Sequence, residues 1–323
     1  MPEEIQDQLT KYLTDAHSIE EQALAQLRTA PELAGDPELA EGFREHLQET
    51  ERHEHLIRAA LEARGAKPSR VKDTVMAVGG KGFLLFARLQ PDTPGKLVAH
   101  ALSYEALELA SYELLSRVAE RAGEPDVVDT ATKILDDERA MMKRLEGGFD
   151  RTVEASLREV DPDDLKEQLR KYLADAHAIE EQAIALLERG PKLAGNEHLA
   201  AIYAEHLDET RDHAEVVQER LTALGGDTST LKDAGLRLGA LNWGAFFQGH
   251  PDTPGKLAAF AYAFEHLEIG GYEQLKRVAA RAGEAEVVRT AEGILAQERE
   301  AAGRIAGAFD EAAAAALESQ GVL

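Results

Sequence analysis

The sequence predicts an all-α protein, two four-helix bundles in series, and three observations lead there. Hydrophobic residues make up 44% of the chain and aromatics only 5%, with alanine supplying much of the apolar share. Ala, Leu, Glu and Arg are strong helix formers, whereas sheets draw on β-branched and aromatic side chains. The chain also copies itself. KYLADAHAIEEQ from Lys171 reproduces KYLTDAHSIEEQ from Lys11, an offset of 160 residues, and PDTPGKL recurs unchanged at Pro91 and Pro251. EHLDET from Glu205 matches EHLQET from Glu45 in the same register, so the chain is a tandem duplication. Finally, Gly, Pro and capping residues divide each copy into four long helical segments.

The first predicted helix covers about residues 3–29 and ends before Pro31 and Gly35. The second begins near Asp36-Pro37 and is stopped by Gly65; the third starts at Thr93-Pro94 and ends at Gly123. The fourth follows Glu124-Pro125 and runs past Phe149. Between the second and third lies a connector, 65–92, with a short apolar segment around Val75 to Leu89 that is expected to form an extra helix. So long a link suits a bundle in which one connection crosses from end to end. The duplication boundary falls near Val160, where Asp161-Pro162-Asp163-Asp164 supplies a cap, a first-turn proline and first-turn acids. The expected domains are therefore 1–160 and 161–323. A helical solenoid is the competing architecture, but two repeats are few for one.

Lys plus Arg number 36 against 60 Asp plus Glu, a formal charge of −24. Such a surface repels phosphate backbones and anionic lipid, which argues against nucleic-acid and membrane-surface roles. With no cysteine, disulfides, thiolate catalysis and iron–sulfur clusters are excluded. The N-terminus shows neither a basic segment nor an apolar run, and no stretch is long enough to cross a bilayer, so a cytoplasmic protein is expected.

The informative feature is where the acids point. In the first helix Leu9, Leu13, Ala16, Glu20, Ala23 and Leu27 share a stripe, and Glu20 stands where a leucine is expected. Glu21 falls on the polar side with Thr14 and Ser18. The second helix lines up Gly42, His46, Glu49, His53 and Leu56, and the third Leu97, Ala101, Glu105, Glu108, Tyr112 and Leu115. In the fourth, Glu138 is the one charge among Val128, Ala131, Leu135, Met142, Leu145 and Phe149. The second copy repeats these positions as Glu180, His206, Glu209, His213, Glu265, Glu268 and Glu298. A buried unpaired carboxylate costs several kcal/mol, and five together would exceed a typical domain's whole stability of about 5–15 kcal/mol. No Lys or Arg stands on these stripes beside the acids. Two divalent cations per unit would neutralise them, and oxygen with imidazole donors suits iron or manganese.

His17 and His177 lie one turn from Glu20 and Glu180 and read as partners of a carboxylate rather than as ligands. Gly79-Gly80-Lys81-Gly82 lacks the spacing of a phosphate-binding loop. Tyr104, Tyr112 and Tyr272 lie close to the acid lines and read as core. Trp243, Phe246 and Phe247 in the second connector are expected to pack on the bundle.

Asp15-Ala16-His17-Ser18-Ile19-Glu20, His46-Leu47-Gln48-Glu49-Thr50, Tyr104-Glu105-Ala106-Leu107-Glu108-Leu109-Ala110-Ser111-Tyr112 and Asp137-Glu138-Arg139-Ala140-Met141 together resemble the bacterial stress-associated ferritin-like proteins of the YciE/YciF type, over essentially all of each unit. The resemblance implies a ferritin-like four-helix bundle with a carboxylate-rich di-iron centre. It also implies pairing of bundles, so the tandem reads as a covalent version of such a pair, a monomer with an internal pseudo-dimer or a homodimer. The Glu-x-x-His pattern of broader ferritin-like proteins is absent: Arg52 follows Glu49 at the third place, and Met141 follows Glu138. The expected activity is oxidation of Fe(II) by dioxygen or hydrogen peroxide, with Glu49 and Glu108 bridging two ions and Glu20 and Glu138 as terminal or additional bridging ligands. A manganese-dependent catalase is a variant. The alternative of another class is a metal-binding structural stress protein without turnover. The second copy replaces Asp137 with Gln297 and His100 with Phe260, so metal is expected in both units with unequal affinity or rate.

Overall fold

The computed structural model describes residues 4–67, 93–226 and 252–322. Among these the chain is all-α, and its contacts cluster into two compact units, one of Met1–Ser156 with Gln320–Leu323 and the other of Leu157–Ser319. The first repeat contains α1 (Ile5–Leu27), the short α2 (Ala30–Leu33), α3 (Pro37–Ala63), α4 (Thr93–Ala122), α5 (Pro125–Gly147) and α6 (Phe149–Leu157). The second contains α7 (Leu165–Leu187), α8 (Gly190–Leu193), α9 (Glu197–Ala223), α10 (Thr253–Arg281), α11 (Ala285–Gly307) and α12 (Phe309–Ser319).

Helix boundaries follow local chemistry. Asp36 caps α3 by accepting hydrogen bonds from the N–H groups of Glu38 and Leu39 at 2.9 and 3.0 Å, and Pro37 sits where a missing N–H costs nothing. Gly65 follows α3 at φ 70° and Gly123 follows α4 at φ 73°, a left-handed conformation that a side chain would strain. At the boundary Asp161 Oδ1 accepts from Asp163 N–H at 3.0 Å. The acids there form a short 3₁₀ turn, Pro162–Asp164, so α7 starts one residue beyond the sequence-expected first turn. The fourth expected helix does not run unbroken past Phe149. It tightens at Gly148, whose N–H bonds back to Leu145 O at 2.9 Å, and restarts as α6. Ala308 does the same with Ile305 O at 3.0 Å, so the break comes from the tightened turn and not from glycine itself.

Contacts at the helix ends fix the direction of each rod. Gln6 near the start of α1 meets both Arg64 at the end of α3 and Ala122 at the end of α4. Arg64 also pairs with Glu124 at the start of α5, 3.1 Å away. Thus α1 is antiparallel to α3 and α4, α5 is antiparallel to α3 and α4, and α3 and α4 run parallel across the ring. A parallel pair needs a long return connection, the role expected of residues 65–92. The expected extra helix, the Gly79–Gly82 stretch, Trp243, Phe246 and Phe247 lie outside the described residues. No described helix is long and apolar enough to cross a membrane.

Candidate metal centre

The inward stripes of α1, α4 and α5 deliver their acids to the middle of the ring, and α3 delivers His46 and His53. Leu9, Leu13, Ala16 and Ala23 bury α1 around Glu20, and Ala131, Leu135, Met142 and Leu145 bury α5 around Glu138. Glu20, Glu105, Glu108, Glu138, His46 and His53 are all buried, as are Glu180, Glu265, Glu268, Glu298, His206 and His213.

Two groups of potential donor atoms form at the middle of the ring in the first repeat, each with its atoms within 4.8 Å of one another: His46, Glu105, Glu108 and Glu138, and Glu20, His53 and Glu138. Glu138 belongs to both. His46 Nε2 lies 3.0 Å from Glu105 Oε2 and 3.6 Å from Glu138 Oε2. His53 Nδ1 lies 3.0 Å from Glu138 Oε1 and 3.8 Å from Glu20 Oε1. The second repeat has the same arrangement around Glu298: His206 Nε2 is 2.7 Å from Glu265 and 3.6 Å from Glu298, and His213 Nδ1 is 2.8 Å from Glu298 and 3.8 Å from Glu180.

These contacts are close without being aligned as hydrogen bonds. Glu20 Oε2, His46 Nε2, His53 Nδ1, Glu105 Oε2 and both oxygens of Glu108 and Glu138 are buried with no hydrogen-bond partner, and the second repeat leaves the same atoms unpaired. Natural interiors rarely leave buried polar atoms unsatisfied, so a concentration of them around shared centres needs a physical reason. No Lys or Arg among the described residues pairs with these four carboxylates. Oxygen and imidazole atoms converging from four helices fit one or two divalent ions per repeat.

The outward atoms of the ligand set are, by contrast, well held. Tyr112 donates its hydroxyl to Glu20, and Tyr272 to Glu180, while Tyr104 donates to the Ile19 carbonyl at 2.9 Å. His46 Nδ1–H donates to Glu49 at 3.0 Å and His53 Nε2–H to Asp137 at 3.1 Å. Such contacts fix which ring nitrogen faces inward. In the second repeat Glu209 holds His206 at 3.0 Å, and Gln297 holds His213 at 2.9 Å.

Glu49 and Glu209, both expected as metal ligands and Glu49 as a bridge, stand apart from the donor atoms that converge. They lie outside both donor groups and orient histidines from the far side. The reason is angular: at about 100° per residue, Glu49 sits some 60° to one side of His46 while Thr50 sits 40° to the other. Leu56, on the expected line, is 41% exposed, whereas Thr50, Ile57 and Leu61 are buried. The same rotation brings in Glu54, which the sequence reading missed although it shares the Thr50–Ile57–Leu61 side. Glu54 is buried, accepts from Arg58 Nε at 2.8 Å and contacts His17 Nε2 at 2.9 Å. His17 thus partners a carboxylate other than Glu20, in a group that also includes the half-buried Glu21. Here a fixed cation neutralises the buried acid. The second repeat drops acid and cation together, with Ala214 and Gln218 at these positions.

Packed together without a cation, most of the central groups are shifted toward their protonated forms; Glu298 is the exception, its burial outweighed by His213 and His206, which hold it down. Burial pushes Glu20 and Glu138 up to about 8 and about 7, with His53 opposing in both cases. Burial, then the Glu138 and Glu20 charges, raises Glu108 well above the carboxylate range. For the histidines burial works the other way but is outweighed. Glu138 and Glu20 lift His53 to about 9, and Glu105 with Glu49 and Glu138 raises His46. In the second repeat Glu180 and Glu265 are pushed to about 8 by burial, and His213 rises to about 9 against its burial. The imidazole N–H groups hold Glu49 and Glu209 below their ordinary value.

Fold and site define a class: an all-α tandem-repeat protein with buried His/Glu groups able to hold metal ions. The chain belongs to the family described as Domain of unknown function (DUF892), whose model matches residues 4–158 and again 164–318. Each repeat is thus one copy of that domain. No solved structure matches the chain.

Proposed function

We propose that each repeat holds a carboxylate-bridged di-iron or di-manganese centre and that the chain oxidises Fe(II) with dioxygen or hydrogen peroxide, a ferroxidase or peroxide-detoxifying role in stress protection. The observation that carries this reading is the pair of donor groups sharing Glu138, with their inward atoms buried and unpaired. The motif resemblance to the ferritin-like YciE/YciF type supports it. Two such ions, once bound, supply electrons and open coordination positions for reducing dioxygen or peroxide.

The residues divide the work. Glu138, which belongs to both donor groups, would serve both ions; His46, Glu105 and Glu108 would hold one, and His53 and Glu20 the other. Tyr112 fixes the second oxygen of Glu20, and Glu49 and Asp137 fix the two rings. Occupancy requires the carboxyls and imidazoles to release the protons they hold in the metal-free chain. Anaerobic Fe(II) titration followed by oxygen or peroxide is expected to oxidise about two irons per repeat. Oxidation no faster than that of free iron would end the catalytic reading. The complete burial of the donors also favours a second reading, a metal-stabilised structural protein, for which added metal raises the melting temperature and peroxide changes nothing.

Asp137 and Gln297 set the two centres apart. A carboxylate behind a ligating imidazole makes it a stronger donor than an amide does, which stabilises the more oxidised metal. Asp137→Asn is expected to raise the reduction potential of the first centre and Gln297→Asp to lower that of the second. A redox titration followed by electron paramagnetic resonance reads both.

A further inference from the structure

The wall beside Glu105 differs between the repeats although the ligands do not. In the first repeat a cavity of about 20 Å³ is bordered by Gln26, His100, Tyr104 and Glu105. One water needs roughly 10–15 Å³. His100, on the same wall, is half-buried. Its Nε2–H donates to Gln26 Oε1 at 3.0 Å, which leaves Gln26 Nε2 buried with no hydrogen-bond partner. Gln26 is only 8% exposed, so this donor is largely shielded from bulk solvent and has no protein acceptor. Burial holds His100 down at about 4, so at neutral pH the wall carries no fixed positive charge. The second repeat places Leu186, Phe260 and Phe264 at the positions of Gln26, His100 and Tyr104. The polar group it adds to this wall is the Tyr203 hydroxyl, where the first repeat has Phe43; it too is buried without a hydrogen-bond partner, so the repeats differ in the Gln26–His100 pair and not in having a free donor.

We propose that the cavity bordered by Gln26, His100 and Glu105 is a subsite for hydrogen peroxide serving the first centre, and that the second centre lacks the Gln26–His100 pair that forms it. This rests on the di-iron reading. An uncharged solute with acceptor oxygens and its own O–H donors satisfies the Gln26 amide, whereas apolar dioxygen gains nothing from it. The reaction balances: the O–O bond accepts one electron from each of two ferrous ions and takes up two protons, and the products are two ferric ions and two waters.

The test uses the full chain loaded anaerobically with Fe(II) and mixed with peroxide or with dioxygen. Peroxide is expected to give two phases, the faster from the first repeat. Gln26→Leu with His100→Phe is expected to slow that phase on the order of tenfold without reducing bound iron or the rate with dioxygen. Leu186→Gln with Phe260→His should speed the slower phase. Water-proton relaxation of the Mn(II)-loaded chain gives a readout without turnover: closing the first wall lowers it, and opening the second raises it. Bound iron with peroxide phases and relaxation unchanged by either swap would overturn the inference alone. No bound iron would overturn the di-iron reading and this inference with it.

Discussion

Glu138→Gln is expected to empty the first repeat of metal while the fold stands. Both donor groups of that repeat depend on Glu138, so one substitution removes a shared ligand from two positions. Elemental analysis should fall by about two ions out of roughly four per chain, and Glu298→Gln should produce the same loss in the second repeat. Compared metal-free, the variant is expected to keep a cooperative melt at lower stability than the parent, because His53 and His46 lose a buried partner, a loss of up to about 3–5 kcal/mol. A cooperative melt retained by the metal-free variant, beside halved metal in the loaded one, separates loss of a ligand from loss of the fold. Metal retained in full by Glu138→Gln would show that the ions, if any, sit elsewhere.

Metal removal should reverse the pH dependence of stability. In the metal-free chain Glu20 rises from 4.5 to about 8, Glu138 to about 7, and His53 from 6.5 to about 9. The folded state therefore holds protons that the unfolded chain has already released. Stability is greatest below the unfolded values and is lost as pH climbs, from about 4.5 to 8 for the carboxyls and from 6.5 to 9 for His53. Glu180, Glu265 and His213 act with the same sign. Glu49, Glu209 and Glu298, whose values are lowered, act the other way but below about 4.5, outside this window. Metal competes with those protons, so its affinity rises over the same range. At a thousandfold excess over the dissociation constant one site contributes about 4 kcal/mol. Calorimetry with Mn(II) should show the melting temperature of the metal-free chain falling from pH 5.5 to 8 while the gain on adding metal grows. A metal-free melting temperature that rises across that range would contradict the proton-holding cluster.

The architecture was legible because the duplication and the helix punctuation are local signals. Proline and glycine mark the same breaks in both copies, and the long link between the second and third helices announces a parallel pair. That Glu20, Glu105, Glu108 and Glu138 face inward was legible for a similar reason, since each interrupts a stripe of apolar residues. On α3 the pattern misled. His46 and His53 are seven residues apart and nearly eclipsed, so residues on either side of them fit an inward line about equally well. The sequence line took the Glu49–Leu56 side, whereas packing took Thr50, Glu54 and Ile57. The sharing of Glu138 depends on how four rods meet, a distance that no single helix encodes.

The most direct test of the claim that divalent cations neutralise the buried carboxylates is anomalous scattering, recorded at the iron edge from crystals grown with ferrous salt. The expected result is about two peaks in each repeat, one beside His46, Glu105, Glu108 and Glu138 and the other beside Glu20, His53 and Glu138, with their counterparts around Glu298. An absence of peaks there, with Glu20, Glu108 and Glu138 turned toward solvent, would contradict it.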